Sequence, residues 1–490
     1  MPGPEAIRQC GAVAWRWRFH GNPGTNANYP GSAWQRQHAL AIIVEKDQPM
    51  QWPSLLSSQR ARLKKATSGV FRSAFEQDFD RIVFSHPFRR LQDKTQVHPL
   101  PEHDFVHTRL THSLEVSSVG RSLGKKVGET VLQRHGGLED FSPFDFGAIV
   151  AAASLAHDLG NPPFGHSGEE GISGFFARQQ AGLDFKPLVS EAEWADLVQF
   201  EGNAQGFRIL NKNQYQGLQL TYATLGAFTK YPCPAKMDGR DKKRKSQNKY
   251  GFFQTEQALF EEVAIQLGLK KGVGHSWCRH PLAFLVEAAD DICYSIIDLE
   301  DGCRLGLVGL EDTVGLLAGI LKGSFDRDKL AQIPSQDEKI GVLRAMAIGQ
   351  LIEECATIFL DNEAGILDGT FDQPLTGLCP SATALAAIAG LSMEKIYRAR
   401  HVVEIEAAGH EVLPGLLEEF AMAGKSRIEG TLSGKYRNLY RLLPPGTTAG
   451  IGEAGGSHYL MLRNIIDFVS GMTDRHAISL YRKIKGISLN

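Results

Sequence analysis

Apolar residues recur three and four positions apart through most of this chain, the spacing of helices that bury one face. Ile340, Leu343, Ile348, Leu351, Ile352, Cys355 and Phe359 form one such face, and residues 382–408 carry another. Leu282, Leu285, Ala289, Ile292, Ile296 and Leu299 make the stripe of a further helix, and Pro281 suits its first turn. Residues 147–159 read as a helix of small residues. Gly160 and then Asn161-Pro162-Pro163 stop it, because proline lacks an N–H and clashes with the preceding turn. Residues 55–79 also have helical spacing, with Arg60, Arg62, Lys64 and Lys65 expected on a solvated face. No alternating pattern of strand length appears, so the expected fold class is all-α.

Residues 1–49 break this periodicity. They are polar and rich in Gly and Asn, with scattered Trp15, Trp17 and Trp34, and the run GNPGTNANYPGS reads as coil. The expected organisation is a poorly structured extension over 1–49, with Met50 a candidate natural start. A helical domain over 50–310 and a helical C-terminal region over 311–490 follow.

Composition narrows the class. The chain has 490 residues, 42% hydrophobic and 22% charged, and a net charge of −2, so it is not broadly basic. Any contact with nucleic acid must come from a local patch, and the run Lys242-Lys243-Arg244-Lys245 is the strong one. It is expected to be a mobile, solvated loop, with weak single-stranded nucleic-acid binding left open. Seven scattered cysteines without a Cys-x-x-Cys pair argue against a disulfide scaffold and a structural zinc site, and point to a reducing, cytoplasmic setting. No apolar run approaches the length of a membrane span.

The candidate chemistry centres on Ser154 to Glu170, SLAHDLGNPPFGHSGEE. His157 and Asp158 stand at a helix end, with His166 and Glu169 just beyond. Imidazoles and carboxylates beside an apolar helix are costly to bury alone, and a divalent cation satisfies both. His166 and Glu169 are three apart, which suits a proton-transfer imidazole and its orienting carboxylate. Arg109 and His112 share a helix face, as do Asp290, Tyr294 and Asp298. Asp291 points about a quarter-turn away from Asp290. By spacing alone the chain supports metal-assisted phosphoester hydrolysis and no finer reading.

The wording of several blocks is more specific. FRRLQDKTQV, RLTHSLEV, HDLGNPPFGHSGE, FEGNAQGFRIL and EAADDICYSIIDLED, in that order, resemble the dGTPase branch of the HD-domain phosphohydrolases. The resemblance implies an HD-type helical fold and a metal held by His112, His157, Asp158 and Asp290. It places Gln96 and Val97 beside the deoxyribose, with Arg89 and Arg90 bordering the nucleotide. Asn203 falls near the triphosphate, although Glu201 and Asn203 also suit a helix cap. Lys230 and Tyr231 match a phosphate-binding lysine and an aromatic neighbour, and Tyr294 and Asp298 match nucleotide contacts. Arg109, Asn161 and Lys230 would then neutralise the polyphosphate. Arg475 reads equally as a nucleotide contact or a salt bridge. His103 and His107 fall outside the pattern and are expected at the surface.

The implied reaction is attack of water on the α-phosphorus of dGTP or several dNTPs, giving deoxynucleoside and tripolyphosphate. The metal is Mg, Mn or Co on this reading, with Fe and Zn also compatible with the donor set. Homo-oligomers, built on dimers and extending to hexamers, are implied as well. A dNTP effector, another HD-type nucleotidase or phosphodiesterase, and a non-enzymatic nucleotide or nucleic-acid binder stay open.

Overall fold

The computed structural model describes residues 48–61, 71–98, 106–212, 217–323, 325–452 and 456–488. The expected extension over 1–49 therefore lies outside the described residues up to position 47, as do Arg62, Lys64, Lys65 and His103. Among the described residues the regular structure is helical, with isolated β-bridges such as Thr95 to Thr108. The all-α expectation holds.

The helices that build the site are α1 (Ala74–Val83), α2 (Arg109–Arg134), α3 (Pro143–Ala156), α4 (Gly165–Arg178), α5 (Gly202–Asn211), α6 (Tyr222–Phe228) and α7 (Pro281–Arg304). After them come α8 (Gln336–Asp361), α9 (Arg400–Ile428), α10 (His458–Ser470) and α11 (Asp474–Ile484). One core gathers around α2, α3, α7 and α8; a second lies between α4, α9 and α10. Both draw residues from before and after position 310.

The α2–α3 hairpin sets the geometry. Thr108 and Thr111 cap α2, and Ser142, Pro143 and Asp145 start α3. That start lies four residues earlier than the apolar run suggested, and the helix ends at Ala156, leaving His157 as its cap. The two helices pack closely because glycines face each other across them. A Cβ on Gly120 would meet Ser154 Oγ at 2.5 Å, and one on Gly124 would meet the carbonyl oxygen of Phe146 at 2.7 Å. This contact brings the first turn of α2, with His112, beside the end of α3, with His157. The predicted stripe of α7 is buried throughout and packs on this hairpin.

Three expectations are corrected. Residues 57–61 are not helical, and Arg60 is buried in an ion pair with Asp78 rather than solvated. The basic run is pinned: Arg240 donates to four backbone carbonyls, and Arg244 Nε lies 3.0 Å from Asp372 Oδ2. Lys242 and Lys243 at its tip are exposed. Residues 382–408 are not one helix. An α-helix over Ala382–Leu391 passes into a π-helical turn over Ser392–Ile396, and α9 begins only at Arg400. Such turns recur near functional sites.

Candidate metal centre and its cavity

His112 Nε2 lies 3.3 Å from Asp290 Oδ1, and His157 Nε2 lies 3.4 Å from the same oxygen. The two imidazole rings meet edge to face with centroids 5.3 Å apart. His157 Nδ1 donates to the Ser154 carbonyl at 2.6 Å, which orients the ring so that Nε2, once it gives up its proton, turns a lone pair toward Asp290. Ligands about 2.1 Å from one metal at tetrahedral or octahedral angles stand roughly 3.0–3.4 Å from each other. The trio therefore fits a dication. Its donor set of two nitrogens and one oxygen suits Mg, Mn, Fe, Co or Zn.

Asp158 stands against this trio with its oxygens engaged. Oδ1 is 3.5 Å from His157 Nε2 and accepts from Asn161 Nδ2 at 2.5 Å; Oδ2 accepts from Arg109 Nη1 at 2.8 Å. Burial opposes charge on both acids, yet the cations win. Arg109, His157 and His112 lower Asp158, and His157, His112 and Lys230 hold Asp290 well below the ordinary carboxylate range. Burial also opposes charge on His157, but Asp158 and Asp290 raise it to about 9 in the metal-free protein. This cluster of paired charges is what a divalent ion would replace.

The centre opens into a cavity of about 650 Å³. Gln96 and Val97 form one wall, held there by the Thr95–Thr108 bridge and by Asp474 of α11, whose Oδ2 accepts from Thr95 N at 3.0 Å. Gln96 Oε1 is buried without a hydrogen-bond partner among the described residues. Arg109, Asn161 and Tyr294 also line the cavity. Phe164 sits at φ 64°, a conformation that costs a non-glycine residue about 1 kcal/mol or more. Its N–H donates to Asp474 Oδ1 at 3.2 Å, and Gly165 follows at φ 59°.

His166 lines the cavity and is exposed. Although its edge is open to the cavity, the protein packed around its ring keeps water from it, and with Lys249 and Arg109 nearby this lowers its pKa below the ordinary imidazole value. No hydrogen bond joins it to Glu169 among the described residues. Glu169 instead accepts from Gly202 N at 2.7 Å, and burial together with Glu201 raises it to about 7. The orienting contact expected from the spacing is thus replaced by a bond to the start of α5.

Other expected contacts stand behind the wall. Glu201 caps α5 and takes the Asn203 side-chain amide at 2.7 Å, the cap reading of that pair. Lys230 Nζ lies 3.6 Å from Asp290 Oδ2, and Tyr231 is buried under Arg279. Asp298 is buried and accepts from Tyr397 at 2.8 Å. Arg90 donates to the Gly471 carbonyl, Arg89 is exposed, and Arg475 lies 3.7 Å from Asp93 in an exposed ion pair. His107 is not a surface residue. Its Nδ1 lies 2.9 Å from Asp301 and its Nε2 3.1 Å from Glu115, joining α7 to α2.

The far wall comes from residues the periodicity did not single out: Met393, Tyr397, Arg398, Ile405 and Glu406. Tyr397 stacks on Tyr294 with ring centroids 5.4 Å apart. The helical period over 382–408 gave no sign of the break, since α9 alone runs unbroken for 29 residues.

Comparison with known proteins agrees with this geometry. Residues 109–198 match the HD domain, and residues 380–483 match the phosphohydrolase-associated domain. A Synechocystis protein named deoxyguanosinetriphosphate triphosphohydrolase-like is 44% identical over 457 residues, covering 90% of this chain and all of that one. A like-named Pseudomonas aeruginosa protein is 40% identical over 90% of this chain and 99% of its own. A Cronobacter sakazakii protein named deoxyguanosinetriphosphate triphosphohydrolase is 30% identical over 84% and 94%. With two helical family segments and relatives matched along nearly their whole length, this chain belongs to the dGTPase family of HD-domain phosphohydrolases.

Proposed function

We propose that the protein hydrolyses deoxynucleoside triphosphates, dGTP or several of the four, to deoxynucleoside and tripolyphosphate with a divalent cation. The observation that carries this reading is the convergence of His112, His157 and Asp290 beside a cavity that His112 and Asp290 line and whose wall holds Gln96. The names of the relatives supply the substrate class.

His112, His157 and Asp290 would hold the cation, with Asp158 alongside. A bound dication there supplies Lewis acidity toward a phosphoryl oxygen and a lower pKa for a coordinated water. The chain's own groups do the rest. Arg109, fixed by Asp158, neutralises polyphosphate charge from one side with the Asn161 amide as a donor beside it, and Lys230 does so from behind Asp290. Gln96 offers its unpartnered oxygen to a sugar hydroxyl, and Val97 and Tyr294 exclude water around the ring. His166, neutral and open to the cavity, is the proton-transfer group at the reacting oxygens. As the oxygen of water bonds to the α-phosphorus, the bond to the 5′-oxygen breaks, and that oxygen takes a proton.

The test is a panel of dGTP, dATP, dCTP and dTTP with Mg²⁺ or Mn²⁺, products identified by mass. Deoxynucleoside and tripolyphosphate are expected, and His157→Ala abolishes the turnover. Release of monophosphate or pyrophosphate, or unchanged turnover in that variant, overturns the reading. We also propose a homo-oligomer, which light scattering under turnover conditions tests.

A further inference from the structure

Glu287 lies one turn before Asp290 on α7, behind the cavity lining. Its side chain is 2% exposed. Oε2 accepts from Arg279 Nη1 at 2.7 Å. Oε1 has no hydrogen-bond partner among the described residues and lies 3.7 Å from Lys230 Nζ. The same ammonium is 3.6 Å from Asp290 Oδ2. It thus hangs between two carboxylates, at hydrogen-bond distance from neither.

The mount around it is rigid. Arg279 is 1% exposed and packs beside the rings of Tyr231 and Phe284. While Nη1 holds Glu287, its Nε donates to the Lys230 backbone carbonyl at 2.9 Å. Arg279 therefore fixes both the base of the lysine and the acid that faces its tip. Asp372, 3.7 Å from Arg279 Nε, extends the alternation of charge to Arg244 in the basic loop. In this chain of alternating charges the Lys230 tip is the member without a close partner.

Without Glu287 the ammonium has Asp290 as its nearest acid, with Asp291 farther off, and would close on Asp290 as a direct ion pair, because a part-buried cation gains most from its nearest acid. Asp290 would then be a poorer ligand. We propose that Glu287 is a positioning residue: by sharing the Lys230 ammonium it keeps that cation from capturing Asp290, and so leaves the Asp290 carboxylate available to a metal ion. This rests on reading His112, His157 and Asp290 as the metal centre.

Mn²⁺ binding to the full chain, followed by electron paramagnetic resonance without nucleotide, tests it apart from activity. Glu287→Gln should weaken binding roughly tenfold, within the coupling range of groups in contact. Removing that negative charge also weakens the local field for a cation. Glu287→Asp separates the two effects, since it keeps the charge and withdraws the carboxylate from Lys230. It should weaken binding by about threefold or more. In a Lys230→Met background the Glu287→Asp effect should vanish and the Glu287→Gln effect should shrink. Thermal melting followed by circular dichroism shows which variants fold; should Glu287→Gln not fold, Glu287→Asp carries the test. Wild-type affinity in either folded Glu287 variant, or losses equally large with Met at 230, overturns the proposal while leaving the metal centre intact. No Mn²⁺ uptake by the unaltered protein sinks both.

Discussion

Adding one methyl group to Gly160 should disable the site without touching a ligand. Gly160 follows the His157-Asp158 turn and packs against α5. A Cβ built there would lie 2.0 Å from the Gly202 carbonyl oxygen and 2.2 Å from Gly206 N. Both are backbone atoms, so no rotamer change relieves the clash. Reaching even a 3.0 Å contact requires the turn and α5 to part by about 1 Å, a movement whose cost lies at or above the usual overpacking range of 1–3 kcal/mol. A displacement of that size in a catalytic framework costs about a hundredfold in rate. Gly160→Ala should therefore lower the melting temperature and depress dNTP hydrolysis together. Gly202→Ala is the informative comparison, since its Cβ meets the side chains of Asn161 at 2.2 Å and Glu169 at 2.8 Å, which can move. It should lose activity with a smaller loss of stability. A Gly160→Ala protein with unchanged melting temperature and turnover would refute this account of how the His-Asp turn is seated.

Three further outcomes are expected. Burial raises Asp298 to about 8 from an unfolded value of 3.8, despite the opposing Tyr397 donor. Its contribution to stability is therefore fully present below pH 3.8 and is lost as pH rises through about 8. Melting temperatures from pH 5 to 8 should fall more in the wild type than in Asp298→Asn, and parallel curves refute it. His107→Ala leaves Asp301 and Glu115 without their shared cation and should cost roughly 2–4 kcal/mol by denaturant titration. A loss below the error of that titration counts against the α2–α7 staple. Chelation followed by return of Mn²⁺ should raise the melting temperature, by the equivalent of about 2.7 kcal/mol when the free ion is a hundred times its Kd. Identical melts with and without the ion argue against the centre.

Local patterns were legible where one helix decides the outcome alone. The α7 stripe from Leu282 to Leu299 needs only the helical period to be seen, and its burial follows from it. The gathering of His112, His157 and Asp290 was legible because its wording resembles a known family, not because spacing joins His112 to Asp290. The start of α3 was also present in the sequence, in Ser142-Pro143 and Asp145, but the apolar run drew attention further along. What stayed hidden depends on partners remote in the chain. Arg60 reads as a solvated charge until Asp78 is placed beside it, and His107 reads as a surface residue until Asp301 is. The wall from Met393 to Glu406 depends on a helix breaking, and helical periodicity is blind to where that break falls in space.

Asp474 couples the last part of the polypeptide to the site. It braces Thr95 across 379 positions and Phe164 across 310. During synthesis, then, both imidazoles and Asp290 are made long before the residue that braces the two cavity walls. A chain clipped ahead of α11 would keep all three donors of the proposed metal site yet lose the prop under both walls of the substrate's berth, so on the proposed reading ion uptake should outlast turnover in it.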